Sequence, residues 1–194
     1  MPNLLDLYKL IIENKASEYT IYCDMDGVLC DFDKGYEDLT KMSTAKANTY
    51  PKSFFWNFFR KKLGKTPERI FWSNLPSQPG GPELWKFIAP YKPNILSAPA
   101  IDFKLSQDQQ LDPKYNEAII GKKEWIDKNL YNVGKEIFVP AAQKAKFAAP
   151  NHILIDDMEK NITAWEAAGG IGILHKNATD TINTLKEKYG FNER

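Results

Sequence analysis

The chain has 194 residues, of which 43% are hydrophobic and 26% charged, with twelve prolines and eleven glycines to punctuate it. That is enough for one domain with a sizeable core and a small inserted lobe. With 26 Lys and Arg against 25 Asp and Glu the formal charge is +1, so no overall field draws the chain onto polymeric nucleic acid or an anionic membrane.

The two cysteines, Cys23 and Cys30, make neither a disulfide framework nor a zinc spacing, which fits a reducing compartment. No stretch approaches the roughly 20 apolar residues of a membrane span. The N-terminus has no basic flank, and Asp6 interrupts its apolar run, so it does not read as a signal peptide. A cytoplasmic protein is expected.

In chain order, Leu4, Leu5, Tyr8, Ile11 and Ile12 recur at helical spacing and predict an amphipathic helix over 3–14. Thr20-Ile-Tyr-Cys23 predicts a short strand that runs into Asp24. The stretch 34–86 has no β-branched run and is dense in aromatic and basic residues, among them Phe54, Phe55, Trp56, Phe58, Phe59, Arg60 and Trp72. It is too long for a simple crossover helix and reads as a mainly helical insertion, a cap over the sheet edge. Ile95-Leu96 leads to Ser97 as the second strand, and a polar, irregular loop covers 99–113. A helix with Ala118, Ile119, Trp125 and Ile126 on one stripe follows over 114–130. Two more strands follow, Ile137–Val139 ending at Pro140 and Ile153–Ile155 ending at Asp156. A helix over 159–168 stops at Gly169-Gly170, and Ile171–Leu174 makes the last strand.

The apolar runs are short and do not alternate, as in strands buried on both faces. Helices between them predict an α/β fold, a doubly wound parallel sheet with a small helical cap inserted between strands 1 and 2. The corresponding division is a core of residues 1–33 and 87–194 and a cap of 34–86.

Four features carry chemistry. Asp24-Met25-Asp26-Gly27 places two acids at the carboxyl end of a strand, where open α/β sheets bind ligands. A carboxylate there can be a nucleophile, and one two residues on can move a proton. Taken alone, such a segment only mildly favours chemistry over a solvated turn that caps the next helix. Asp156-Asp157 ends a second strand, and adjacent carboxylates suit Mg²⁺, a hard cation that takes oxygen ligands; the alternative is an N-cap pair. Ser97 ends a third strand, and its hydroxyl can bond a phosphoryl oxygen or serve a turn. Lys144 and Lys146 are candidates to neutralise a transferring phosphoryl group.

The order strand–Asp-x-Asp, strand–Ser, lysine, strand–Asp-Asp resembles the haloacid dehalogenase-like (HAD) superfamily across residues 20–174. The resemblance implies that Asp24 attacks phosphorus and that Asp26 is the general acid and base. It implies Mg²⁺ held by Asp24, the backbone carbonyl of Asp26, and Asp157, with Asp156 in support. Ser97, Ala98 and Lys146 would bind the phosphoryl group; Lys146 is preferred to Lys144 because it stands ten residues before the acidic pair. Within the superfamily the chain is most similar to the 5′(3′)-deoxyribonucleotidases, through Asp24-Met-Asp-Gly-Val-Leu-Cys-Asp-Phe32, Phe71–Gly80, Lys123-Glu-Trp125 and Leu154–Ile162. Members of that group stack the base on aromatics at the cap–core boundary; Phe32 matches such a position, and Phe55, Trp56 and Trp72 match cap positions more loosely. The cap itself, the long loop 99–116 and the extra N-terminal helix depart from the group's pattern.

The expected activity is therefore dephosphorylation of a nucleoside monophosphate through an aspartyl-phosphate. The partner is a small molecule, with no nucleic-acid polymer and no membrane, and a homodimer is compatible with this. The alternatives are a phosphatase for a sugar phosphate or a nucleic-acid 3′-phosphate, a mutase, or a nucleotide-binding module without turnover. Asp26 argues against a dehalogenase. His152, His175 and Cys23 read as structural, and aromatics clustered on a helix are more often the core of a small lobe than a base-stacking platform.

Overall fold

The structure, a computed structural model, describes residues 16, 18–102 and 104–193; the helix expected over 3–14 lies outside them. Five strands form one parallel sheet: β1 Thr20–Cys23, β2 Asn94–Ser97, β3 Glu136–Phe138, β4 His152–Asp156 and β5 Ile171–Leu174, in the order β3-β2-β1-β4-β5. Four helices lie between β1 and the core helix α5: α1 Phe32–Thr40, α2 Thr44–Ala47, α3 Lys52–Leu63 and α4 Glu68–Ser73. Helix α5, Gly81–Ile88, leads into β2. The remaining helices are α6 Gln107–Gln110, α7 Glu117–Asn129, α8 Glu159–Ala167 and α9 Ala178–Tyr189, with a 3-10 helix at Ala141–Phe147. The doubly wound parallel α/β sheet expected from the sequence is present.

Alternation along the strands divides the core between the two faces of the sheet. Ile21, Cys23, Ile95, Ile153, Ile155 and Ile173 face one side, under Trp85, Ile88, Trp125, Leu185 and Phe191. Tyr22, Leu96 and Leu154 face the other, under Ile162 and Trp165. Each large side chain so buried contributes roughly 1.5–3 kcal/mol. Among the described residues no helix is long and apolar enough to cross a membrane.

Within 34–86 two kinds of packing coexist. Helices α1 to α4 enclose an aromatic cluster of their own around Tyr36, Phe55 and Phe59. By contrast, Leu84, Trp85, Phe87 and Ile88 of α5 join the main core. The loop expected over 99–113 contains α6, whose Ser106 and Gln109 form a capping box. Asn116 then anchors that loop: its side-chain amide donates to the carbonyls of Ala100 and Gln110, while its Oδ1 caps α7 at Ala118 N.

Helix α4 lies flush on α7 because residue 121 has no side chain. A Cβ there would stand 2.4 Å from the Arg69 carbonyl oxygen and 2.6 Å from Trp72 Cβ. Gly121→Ala must therefore push the two helices apart, at a cost of about 1–3 kcal/mol. The expected outcome is a fall in Tm of several degrees, roughly 2–4 °C per kcal/mol for a chain of this size. An unchanged Tm would show that close packing at residue 121 does not hold α4 on α7.

Candidate functional site

The strand order reverses about β1, whose neighbours β2 and β4 are reached by connections running in opposite directions. In open α/β sheets that switch point opens a crevice at the carboxyl ends of the strands. Cys23 pairs with Ile155, and Asp24 N donates to the Ile155 carbonyl at 2.9 Å, so the next residues of the two strands, Asp24 and Asp156, stand side by side. With Asp157 they bring three carboxylates together, their oxygens all within 4.8 Å of one another. Asp24 and Asp156 are buried and Asp157 is half-buried.

Like charges this close need a counter-charge, and Lys144 supplies one. Its Nζ lies 2.7 Å from Asp24 Oδ2 and 2.7 Å from Asp156 Oδ2, and the side chain is 2% exposed. Burial alone would pull the ammonium down, but Asp24 and Asp156 outweigh it and hold Lys144 well above the ordinary lysine range. Lys146, the lysine favoured by its distance from the acidic pair, is exposed. At about three residues per turn, two positions apart in the 3-10 helix Ala141–Phe147 face different sides, so of the two lysines Lys144 points inward.

The carboxylates are held differently. Asp24 Oδ1 accepts from Met25 N at 2.8 Å. Asp156 is nearly saturated, accepting from Lys144, from Met158 N at 2.9 Å and from Asn161 Nδ2 at 2.9 and 3.0 Å. Asp157 draws on none of these donors. It packs against Gly27, whose φ of 77° suits glycine; a Cβ there would lie 2.5 Å from Asp157 Oδ2.

Asp26 stands apart from this trio. Its Oδ1 accepts from the Cys30 thiol at 3.4 Å, and its Oδ2 lies 2.5 Å from Nζ of Lys122. The same ammonium donates to Ser97 Oγ and to the Ala98 carbonyl, each at 2.9 Å. Lys122 is a residue that the sequence reading missed. The signal was there: it falls on the stripe Ala118, Ile119, Trp125 and Ile126, where a charge has no place unless something in the interior receives it.

Of the four aromatic positions singled out, Phe55 and Trp72 are buried and Phe32 and Trp56 are half-buried. Phe32 sits among the rings of Tyr36, Phe55, Trp56, Phe71 and Trp72, stacked on Trp72 at 5.2 Å. His175 is buried beside Thr181 and His152 bonds the Phe147 carbonyl, structural positions for both.

No protein-family model matches the chain, and no curated protein matches it. Solved structures do. A "putative beta-phosphoglucomutase" from Thermotoga maritima superposes with a TM-score of 0.53 at 15% identity, over 88% of this chain and 99% of that one. A hydrolase from Streptococcus pneumoniae TIGR4 superposes at 0.50 and 14%, over 87% and 99%. A HAD-superfamily hydrolase of subfamily IA from Geobacter sulfurreducens PCA reaches 0.49 at 12%, over 87% and 97%. The fold is the parallel α/β fold of the first two of these structures. In it, the acids of β1 and β4 and the serine of β2 converge at one end of the sheet, and the cluster of Asp24, Asp156 and Asp157 could hold a metal ion.

Burial pushes Asp157 up to about 7, and the Asp24 and Asp156 carboxylates add to the effect. An acid raised above its ordinary value of 3.8 keeps, when folded, a proton that the unfolded chain has lost. Stability of the metal-free protein should therefore decline as pH rises from about 4 through 7. A divalent cation held by this cluster would take that proton's place, so saturating MgCl2 should raise Tm more at pH 8 than at pH 5.5. Equal shifts at both values would mean that Asp157 is no ligand. Gly27→Ala, which must displace Asp157, should shrink the shift at pH 8.

Proposed function

We propose that the chain is a Mg²⁺-dependent phosphomonoester hydrolase that works through an aspartyl-phosphate on Asp24, with a nucleoside monophosphate as substrate. The observation that carries this reading is the meeting, at the switch point of a HAD-like sheet, of Asp24 with Lys144, Asp156 and Asp157, while Asp26 stands free of that trio.

The donor set fits a hard cation: only oxygen ligands, three carboxylates within 4.8 Å, and one buried lysine against their charge. Asp24, Asp157 and the backbone carbonyl of Asp26 would hold Mg²⁺, with Asp156 kept behind them by its bonds to Lys144, Asn161 and Met158. The ion supplies charge neutralisation to the phosphoryl oxygens.

The chain's own groups do the rest. Asp24 attacks phosphorus, and the ester oxygen leaves with a proton from Asp26. Asp26 then takes a proton from the water that hydrolyses the aspartyl-phosphate. Lys144, and not Lys146, balances the phosphoryl charge: its ammonium has three N–H donors and the carboxylates of Asp24 and Asp156 take two. Ser97 and Ala98, at the end of β2, bind a phosphoryl oxygen.

A base would meet Phe32 and Trp56, which keep part of their surface open, whereas Phe55 and Trp72 support them from inside the helical layer. In this reading residues 34–86 form a cap over the core of 1–33 and 87–194, with the substrate between them. The nucleotide assignment rests on the resemblance of the Asp24–Phe32 segment to deoxyribonucleotidases.

Asp24→Asn keeps the shape but not the nucleophile, and should lower phosphate release at least about a thousandfold with the circular dichroism spectrum unchanged. Near-normal turnover in that variant would refute the mechanism. Lys144→Ala should be comparably inactive, while Lys146→Ala stays within about twofold; the reverse ranking would restore Lys146. A panel of 5′- and 3′-mononucleotides, deoxy and ribo, against sugar phosphates decides the substrate. Higher kcat/KM on sugar phosphates would remove the nucleotide and leave the phosphatase.

A further inference from the structure

We propose that Lys122 is a positioning residue for phosphoryl transfer: it fixes the Asp26 carboxylate and the direction of the Ser97 hydroxyl, and does not itself bind the phosphoryl group. The inference rests on the reading of the site as a phosphatase.

A lysine that faces the core must be there for a partner, because burying an ammonium without one is strongly unfavourable. Lys122 is fully buried, and its partners are all functional. Nζ lies 2.5 Å from Asp26 Oδ2, 2.9 Å from Ser97 Oγ and 2.9 Å from the Ala98 carbonyl. An ammonium has three N–H donors and no acceptor, so these contacts use all of them. No hydrogen remains for a phosphoryl oxygen, in contrast to Lys144.

The consequences fall on the two groups it holds. Ser97 Oγ receives a hydrogen from Lys122, so its own hydrogen is turned away from the lysine and is left to donate to the phosphoryl group. Asp26 has Oδ2 occupied by the lysine, so Oδ1, which faces the Cys30 thiol, is the oxygen that carries the proton. In the first step the Asp24 Oδ–P bond forms and the ester P–O bond breaks, and the leaving oxygen takes the proton from Asp26 Oδ1. In the second, the water O–P bond forms, the Asp24 Oδ–P bond breaks, and Asp26 recovers a proton from that water.

The Trp72 ring lies over the ammonium, its centre 4.9 Å from Nζ, a favourable contact between a cation and an aromatic face. Trp72 can reach this place because Gly121 lets α4 approach α7. The helical layer thus seals the lysine from water and holds it on Asp26.

A residue that acts through the general acid should matter most where the acid matters most. An alkyl phosphate must expel an alkoxide, a poor leaving group that needs the proton; p-nitrophenyl phosphate expels a stable phenolate that does not. Lys122→Met should therefore lower kcat/KM for an alkyl ester, a 5′-mononucleotide or glycerol phosphate, by about 10²–10³-fold, and for p-nitrophenyl phosphate by about tenfold or less. KM should change little, and the Mg²⁺-induced rise in Tm should persist, since Lys122 touches none of Asp24, Asp156 and Asp157. Lys122→Arg keeps the charge but not the three-way geometry; it should show the same split, and carries the test if Lys122→Met does not fold. Equal losses on both esters, a loss confined to KM, or loss of the Mg²⁺ shift would overturn the positioning role. Wild-type protein that releases no phosphate from either ester in Mg²⁺ would instead remove the phosphatase reading, and this inference with it.

Discussion

Four carboxylates, Asp24, Asp26, Asp156 and Asp157, meet at the end of one small sheet, and two buried ammonium groups stand among them. Everything else near the site follows from managing that concentration of charge. Lys144 is shared by Asp24 and Asp156, and Lys122 serves Asp26. When all four acids are ionised the site is left two charges negative, which is the deficit one divalent cation makes good. Burial, with the Asp24 and Asp156 carboxylates adding to it, raises Asp157 to about 7.

The two lysines divide the site into halves that need different things. On the Asp24 side, the ammonium keeps a donor to spare and sits beside the proposed nucleophile. On the Asp26 side, all three donors are used, and the gain is orientation. The separation costs little in sequence, because parallel strands already deliver their ends to one edge of the sheet. It does demand tight helix packing, since Lys122 has to emerge from α7 directly beneath Trp72. Gly121 meets that demand, and Gly27 meets a similar one beside Asp157.

Much of this was legible in the sequence. Short apolar runs ending in Asp24, Ser97 and Asp156 gave away both the parallel strands and the site they share, because strand ends in such sheets converge. What could not be read were matters of facing. Lys144 and Lys146 differ by two residues in a segment whose 3-10 form is not evident from composition, so spacing to the acidic pair favoured Lys146, which is exposed, over the buried Lys144. Lys122 was hidden inside a stripe read only for its apolar members. Phe55 and Trp72 look the same in sequence whether they stack on a ligand or on one another, and here both are buried against other rings. The helix written into residues 3–14 falls outside the described residues.

The central claim is that Asp24 becomes covalently bonded to phosphorus, and trapping that bond tests it most directly. A single turnover with excess protein and Mg²⁺ would be quenched in acid and reduced with borohydride, which converts an aspartyl-phosphate into homoserine, and the peptides mapped by mass spectrometry. The account predicts homoserine at position 24 and at no other aspartate, appearing and decaying as phosphate is released. Full release of phosphate with no modified residue, or modification at Asp26, Asp156 or Asp157 in its place, would contradict it.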